Sequence, residues 1–406
     1  MSQVVVVGGG FAGVWAAAGV VRAERLLQAE DTTLSEAIEV TLVDAGDDMV
    51  IRPRMYEAEP ERWRVPLDRV LGPIGVRRLA ATVTGIDTEA RQVRGVGRDG
   101  ASISLDYDKL ILASGSRVVQ PELVGAQHLF DVDTMPGAAA LESHIGRLAG
   151  LPGRHERFTA VVVGAGFTGL EVATELVKRL RAVAGDEPVR VVLVERADSV
   201  GPELGPGPRP EIMEALHHLD VDVRLGVEVE SLDRTTAFLS DGTTVATRTV
   251  VWTAGMRASV LTEQIPGERD RIGRLDVDEH LRVRGVADVY AAGDTAAATA
   301  EVGHTVMQSC QHAVPQGKLV GANVAADLLG QPLVNFEPDP YVTCLDLGSY
   351  GAVLTTGWDR QVAQTGAEAK QLKGSINTEW IYPPVDDAEL ILSHADYHTT
   401  WPTAEM

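Results

Sequence analysis

Val4-Val5-Val6-Val7-Gly8-Gly9-Gly10-Phe11-Ala12-Gly13 opens the chain, and Val161-Val162-Val163-Gly164-Ala165-Gly166-Phe167-Thr168-Gly169 repeats its design further on. Each stretch reads as a buried parallel strand that turns tightly into a helix. Glycines at Gly8, Gly10 and Gly13, and again at Gly164, Gly166 and Gly169, remove the Cβ atoms that would keep a pyrophosphate from the backbone. The helix N-terminus then stabilises the phosphate charge. One such hexad is a weak signal, since glycines follow strands for many reasons. Two of them in register point to two dinucleotides, and hence to electron transfer between them.

The repeat extends beyond the turns. Helices are expected over residues 13–27 and 169–183, and second strands over 39–43 and 190–194. Each second strand is tipped by an acid, Asp44 in the first half and Glu195 in the second. Each half continues with a hairpin around an Asp-Gly turn, at Asp99-Gly100 and Asp241-Gly242. A final strand then ends in small residues, Ala113-Ser114-Gly115 and Thr253-Ala254-Gly255. The fold class is therefore α/β with two Rossmann-like domains. Residues 1–118 and 278–335 form the first, 119–277 are inserted as the second, and 336–406 make a small C-terminal α+β module. In that module strands are expected near 341–345 and 350–356, and a helix over 366–378. A Gly/Pro-rich surface loop is expected at 200–210, before a helix near Glu211.

Composition narrows the partners. With 36 basic against 58 acidic residues the formal net charge is −22, which disfavours nucleic acid and anionic lipid surfaces. No stretch is apolar for long enough to span a bilayer, and the first strand begins too early to leave room for a signal peptide. Only Cys310 and Cys344 occur, so neither a disulfide framework nor a cysteine zinc site is available. The expectation is an acidic, cytoplasmic protein without a metal.

With the paired turns and Asp288-Val289-Tyr290-Ala291-Ala292-Gly293-Asp294 in hand, the chain resembles the two-dinucleotide flavoprotein oxidoreductases. That resemblance implies FAD at the first turn and NAD(P)H at the second, with Gly293 and Asp294 at the element that meets the ribityl chain. Gly8, Gly10, Phe11, Ala12, Gly13, Asp44, Arg52, Ser114 and Gly115 complete the implied FAD site. Gly164, Gly166, Phe167, Thr168, Gly169, Glu195, Ala254 and Gly255 form the implied nucleotide site. A carboxylate at Glu195 favours a free 2′-hydroxyl, so NADH is expected over NADPH, although neighbouring Arg196 leaves NADPH possible.

Within that superfamily the chain is most similar to type II NADH:quinone oxidoreductases. Gly166-Phe167-Thr168-Gly169-Leu170-Glu171 carries one part of the likeness, and it implies that Glu171 lies beside nicotinamide and flavin. There it would orient the carboxamide or assist proton delivery. Cys310-Gln311-His312-Ala313-Val314-Pro315 carries the other, implying flavin contact through Gln311, whereas Pro315 stands where the family has a glutamine. Arg52-Pro53-Arg54-Met55-Tyr56 occupies the stretch leading toward the flavin, with Tyr56 either on the ring or in the core. A helix start near 303–308 would face the flavin's electron-rich edge.

The implied reaction moves hydride from nicotinamide C4 to flavin N5, then two electrons to a quinone-like or small aromatic acceptor. Alternatives are a reductase for a ferredoxin-type protein or a biosynthetic oxygenase, and a slowly turning redox-responsive NADH-binding protein. Without a Cys-x-x-Cys motif, a flavin-to-dithiol route is excluded. Cys344 sits where sulfide:quinone reductases carry a reactive cysteine, but reads as a buried structural thiol. The acidic end, broken by Pro383-Pro384, is unlike a basic membrane-surface helix. His394 and His398, near Trp401, read as part of a docking or homodimer-contact tail rather than a metal site.

Overall fold

Both valine-rich strands lie inside the parallel part of a sheet, because apolar side chains on both faces require cover on both faces. The computed structural model describes residues 1–34, 37–152 and 156–399. In the first sheet Ser2–Val7 lies between Ile38–Asp44 and Lys109–Leu112, with Val289–Ala291 parallel to the latter at the edge. On the other side Arg77–Asp87 pairs in parallel with Ile38–Asp44, then continues as an antiparallel meander through Gln92–Gly97 and Ser102–Asp106. The second sheet repeats the plan: Thr159–Val163 lies between Arg190–Glu195 and Thr249–Trp252. Leu129–Phe130 and Val221–Leu225 close its edges.

The helices after the two turns are Phe11–Glu30 and Phe167–Ala184. Each starts two residues ahead of expectation, directly after Gly10 and Gly166, so its N-terminus belongs to the turn itself. Helix Cys310–Leu328 lies against Phe11–Glu30 at backbone contact. A Cβ on Gly317 would stand 2.4 Å from Ala12 O, and one on Gly321 2.3 Å from Ala16 O. Pro315 sits inside this helix and does not end it. The expected helix start near 303–308 is corrected: the helix begins at Cys310, and a short hairpin, Thr299–Glu301 with His304–Thr305, precedes it.

The C-terminal module holds three antiparallel strands, Val342–Asp346, Ala352–Thr356 and Gln361–Thr365. The third was not expected, since its run Gln-Val-Ala-Gln-Thr carries no apolar alternation. Helix Gly366–Ser375 follows and loosens into a π-helical turn, Ile376–Trp380, where a single helix to Thr378 was expected. Leu372 and Ile376 pack on Cys344 and Leu354. Helix Ala388–His394 docks on the chain's own first helix, where Arg22 pairs with Asp396 at 2.6 Å. Trp401 lies outside the described residues. Among the described residues no helix is long and apolar enough to cross a membrane.

Candidate active site

The two turns have nearly superimposable local chemistry. Gly8 and Gly164 take φ of 113° and 100°, backbone that L-residues avoid. A Cβ on Gly13 would meet Gly8 O at 1.8 Å, and one on Gly169 would meet Gly164 O at the same 1.8 Å. These two glycines serve helix–strand packing and do not line the cavity; the first two glycines of each turn do. Asp44 accepts from Gly9 N and Gly46 N, each at 2.7 Å. Glu195 does the same for Ala165 N at 2.7 Å and Ala197 N at 2.8 Å. Each acid thus stiffens its turn while lining the cavity with it.

All the other sequence-derived site residues line one cavity of about 1830 Å³. That exceeds the room a single drug-sized ligand occupies, about 300–1,000 Å³, and matches a site for two dinucleotides. Three observations fit FAD at the first turn. The space before Gly10 is open, with nothing within 4 Å of a Cβ placed there. The helix behind it has no side-chain cap, so its first N–H groups lack one source of satisfaction. Finally, Ser114 Oγ is shielded from water beside the turn and has no hydrogen-bond partner, as expected where a ligand completes the site.

Gly293 and Asp294 follow the edge strand Val289–Ala291 into this cavity. Asp294 Oδ2 accepts from Ser116 Oγ at 2.6 Å and from Arg52 Nη1 at 3.3 Å. Arg52 also pairs with Asp133, so one guanidinium ties the first sheet's loops to the start of the second half. The sequence reading missed Gln316. It lies one place beyond the proline that interrupts the family-like glutamine pattern, and its Oε1 accepts from Gly293 N at 3.0 Å.

Glu171, on the helix from the second turn, is only 5% exposed. Its Oε1 lies 2.8 Å from Lys373 Nζ and 3.2 Å from Asp346 N. Burial, with Asp346 nearby, pushes its carboxyl up to about 7, against the pull of Lys373. Lys373 is a residue the sequence reading did not single out for this site; it arrives on helix Gly366–Ser375 from far along the chain. Burial opposes its charge, and the Glu171 carboxylate more than offsets that and raises its pKa. Tyr56 is a core residue: its hydroxyl donates to Asp346 Oδ2 at 3.0 Å, and the ring is outside the cavity lining.

Gln311 lines the cavity, yet its amide spans the backbone of Val342, donating to the carbonyl at 2.6 Å and accepting from the N–H at 3.2 Å. Cys310 and Cys344 also reach the cavity, and burial lifts both thiols to about 11, so neither is a thiolate at neutral pH. Cys344 Sγ donates to Ala369 O at 3.6 Å. Leu354, Ile376, Trp380 and Ile381 make this end of the cavity apolar. Among the described residues no cluster of three His, Cys, Asp or Glu is placed to hold a metal.

Comparison with known proteins places the chain in a family. Residues 2–317 match the family model described as pyridine nucleotide-disulphide oxidoreductase. An NADH dehydrogenase-like protein of Mycobacterium tuberculosis is 49% identical over 95% of this chain and 96% of its own. A demethylphylloquinone reductase of Synechocystis is 27% identical over 87% and 86%. Among solved structures, NDH2 of Plasmodium falciparum in complex with NADH is similar with a TM-score of 0.79, covering 97% and 96% at 14% identity. The chain belongs to the pyridine nucleotide-disulphide oxidoreductase family and is an NAD(P)H-dependent FAD oxidoreductase of the type II NADH dehydrogenase kind.

Proposed function

We propose that this protein passes two electrons from NADH to a quinone-like or other small aromatic acceptor. The observation that carries the reading is the continuity of the cavity. Two nucleotide cradles open into one space, whose lining also includes the apolar Leu354, Ile376, Trp380 and Ile381 and the buried Glu171–Lys373 pair. The name of the Synechocystis relative supports a quinone as acceptor. On this reading residues 1–118 and 278–335 hold FAD, 119–277 hold NADH, and 336–406 roof the acceptor end. When bound, FAD supplies the redox centre that accepts hydride and releases electrons singly or in pairs.

The chain's own residues have distinct tasks. The Gly8–Gly13 turn and its helix N-terminus bind the diphosphate of FAD, and Asp44 accepts from the ribose hydroxyls. Arg52, Ser116 and Gln316 fix the Gly293–Asp294 element, so that Asp294 meets the ribityl chain in one orientation. Glu195 takes the same place toward NADH that Asp44 takes toward FAD. Glu171, protonated below about pH 7, delivers a proton to the acceptor, and Lys373 holds its carboxyl in position. Ile376, Trp380 and Ile381 exclude water around an aromatic acceptor.

Anaerobic mixing with NADH, and separately NADPH, tests the donor side by following flavin absorbance. Fast bleaching with NADH and slow bleaching with NADPH is expected. For Glu195→Gln the preference for NADH in kcat/KM should shrink by about tenfold, because a charged acceptor of the ribose 2′-hydroxyl is lost and 2′-phosphate repulsion goes with it. An unchanged preference would move selectivity elsewhere. The acceptor assignment fails if the NADH-reduced protein passes electrons to no soluble quinone faster than to oxygen.

A further inference from the structure

The two nucleotide turns differ in what stands at the helix N-terminus. Before Gly10 the site is open, whereas before Gly166 a carboxylate already stands. Glu203 Oε1 accepts from Phe167 N at 3.0 Å, and it lies 2.6 Å from where a Cβ on Gly166 would be. A nucleotide's diphosphate takes this place at the N-terminus of a Rossmann helix. Glu203 belongs to the short turn Pro202–Leu204, bounded by Gly201 at φ 54° and Gly205 at φ 70°. Leu204 is buried and anchors that turn, but Glu203 is exposed, so its side chain can leave the helix N-terminus while the anchor stays.

A second observation points to an anion arriving from outside. Arg360, 4% exposed, lines the same cavity, and its Nη1 has no hydrogen-bond partner. Among the described residues no carboxylate forms an ion pair with it. Its guanidinium lies over the Tyr341 ring, 4.4 Å from the centroid. Its residue packs on the chain just after the Glu203 turn: a Cβ on Gly205 would stand 4.0 Å from Arg360 Cγ, and one on Gly207 2.4 Å from Arg360 O. A buried guanidinium with a free N–H is costly unless an anion completes it.

We propose that Glu203 is a built-in competitor for the diphosphate of NAD(H). Its carboxylate occupies the second turn until the nucleotide displaces it, and Arg360 supplies the charge that favours the diphosphate in the exchange. The inference rests on the reading that the second turn binds NADH. It makes the nucleotide site weaker than its twin by design: the FAD turn has no competitor and retains its ligand, while the second turn re-caps itself as oxidised nucleotide departs. Glu203 thereby sets nucleotide affinity and release without touching the reacting atoms.

The test is calorimetric titration of the oxidised, FAD-loaded protein with NAD⁺, which binds without turnover. Glu203→Gln and Glu203→Ser should each bind NAD⁺ about tenfold more tightly than the wild type, the order of one charged helix cap. Arg360→Gln should bind it more weakly, alone and combined with Glu203→Gln. Without nucleotide, Glu203→Ser should melt at a lower temperature, since Phe167 N–H loses its acceptor. Wild type that binds NAD⁺ beside a Glu203→Gln variant that binds no better overturns the inference and leaves the nucleotide site standing. If neither protein binds NAD⁺, the nucleotide reading itself falls and the inference falls with it.

Discussion

Glu171→Gln is expected to slow reoxidation of the NADH-reduced protein by a soluble quinone about a hundredfold, the scale of a lost general acid. Reduction by NADH should stay within about threefold, because hydride delivery needs no proton from this side chain. The carboxyl is pushed up to about 7 by burial, so wild type should lose acceptor reduction as pH rises through about 7. The variant should show no such break. The sign for stability is the same. A carboxyl whose folded pKa lies above its unfolded value holds its proton more tightly when folded, so its contribution declines from the ordinary carboxylate range up to about pH 7. The exchange to glutamine also leaves Lys373 buried without its anion, a loss of about 3 kcal/mol or more. Adding Lys373→Met should restore the melting temperature but not the quinone rate. Stopped-flow reoxidation across pH reads both effects, and an unchanged pH profile in Glu171→Gln would remove the residue from proton delivery.

The second large effect is a matched pair. Gly13→Ala and Gly169→Ala each place a methyl 1.8 Å from a carbonyl oxygen of their own turn. Backbone cannot yield that far without moving the turn, at a cost of about 3 kcal/mol. The geometric insult is the same in both halves, so the outcome separates the ligands. Gly13→Ala should purify largely colourless, with flavin occupancy near zero. Gly169→Ala should purify yellow yet fail to bleach with NADH. Flavin content by absorbance, followed by an NADH titration, decides it. The reverse pattern would exchange the two nucleotide assignments.

Much of this architecture was legible because parallel-sheet cores leave a dense signal. Runs such as Val4–Val7 and Val161–Val163, each followed by a glycine turn, fix strand, turn and helix together. The acids Asp44 and Glu195 were legible by position, since each tips the strand after such a helix. Lys373 escaped because its role depends on packing: it meets Glu171 only when the C-terminal helix folds back over the second turn. Gln316 escaped because the family-like pattern ends on a glutamine at position 315, where this chain has proline, while the helix through Pro315 presents the next residue to Gly293. Glu203 lay in a Gly/Pro-rich stretch read only as loop, and nothing local announces that its carboxylate returns to Phe167. The strand Gln361–Thr365 was silent because an exposed edge strand needs no apolar alternation.

The close seam between helices Phe11–Glu30 and Cys310–Leu328 has a consequence for how the molecule is made. Gly317 and Gly321 cover Ala12 and Ala16, and Val289–Ala291 completes the sheet that begins at Ser2. A ribosome therefore releases the first nucleotide turn long before it releases the surfaces that seal it. The second sheet draws its strands from one continuous stretch, Leu129 to Leu225 with Thr249–Trp252, and can close while the first still waits. The half synthesised first is the half finished last, and its apolar helix face stays uncovered through the interval in which nascent chains are most exposed to aggregation.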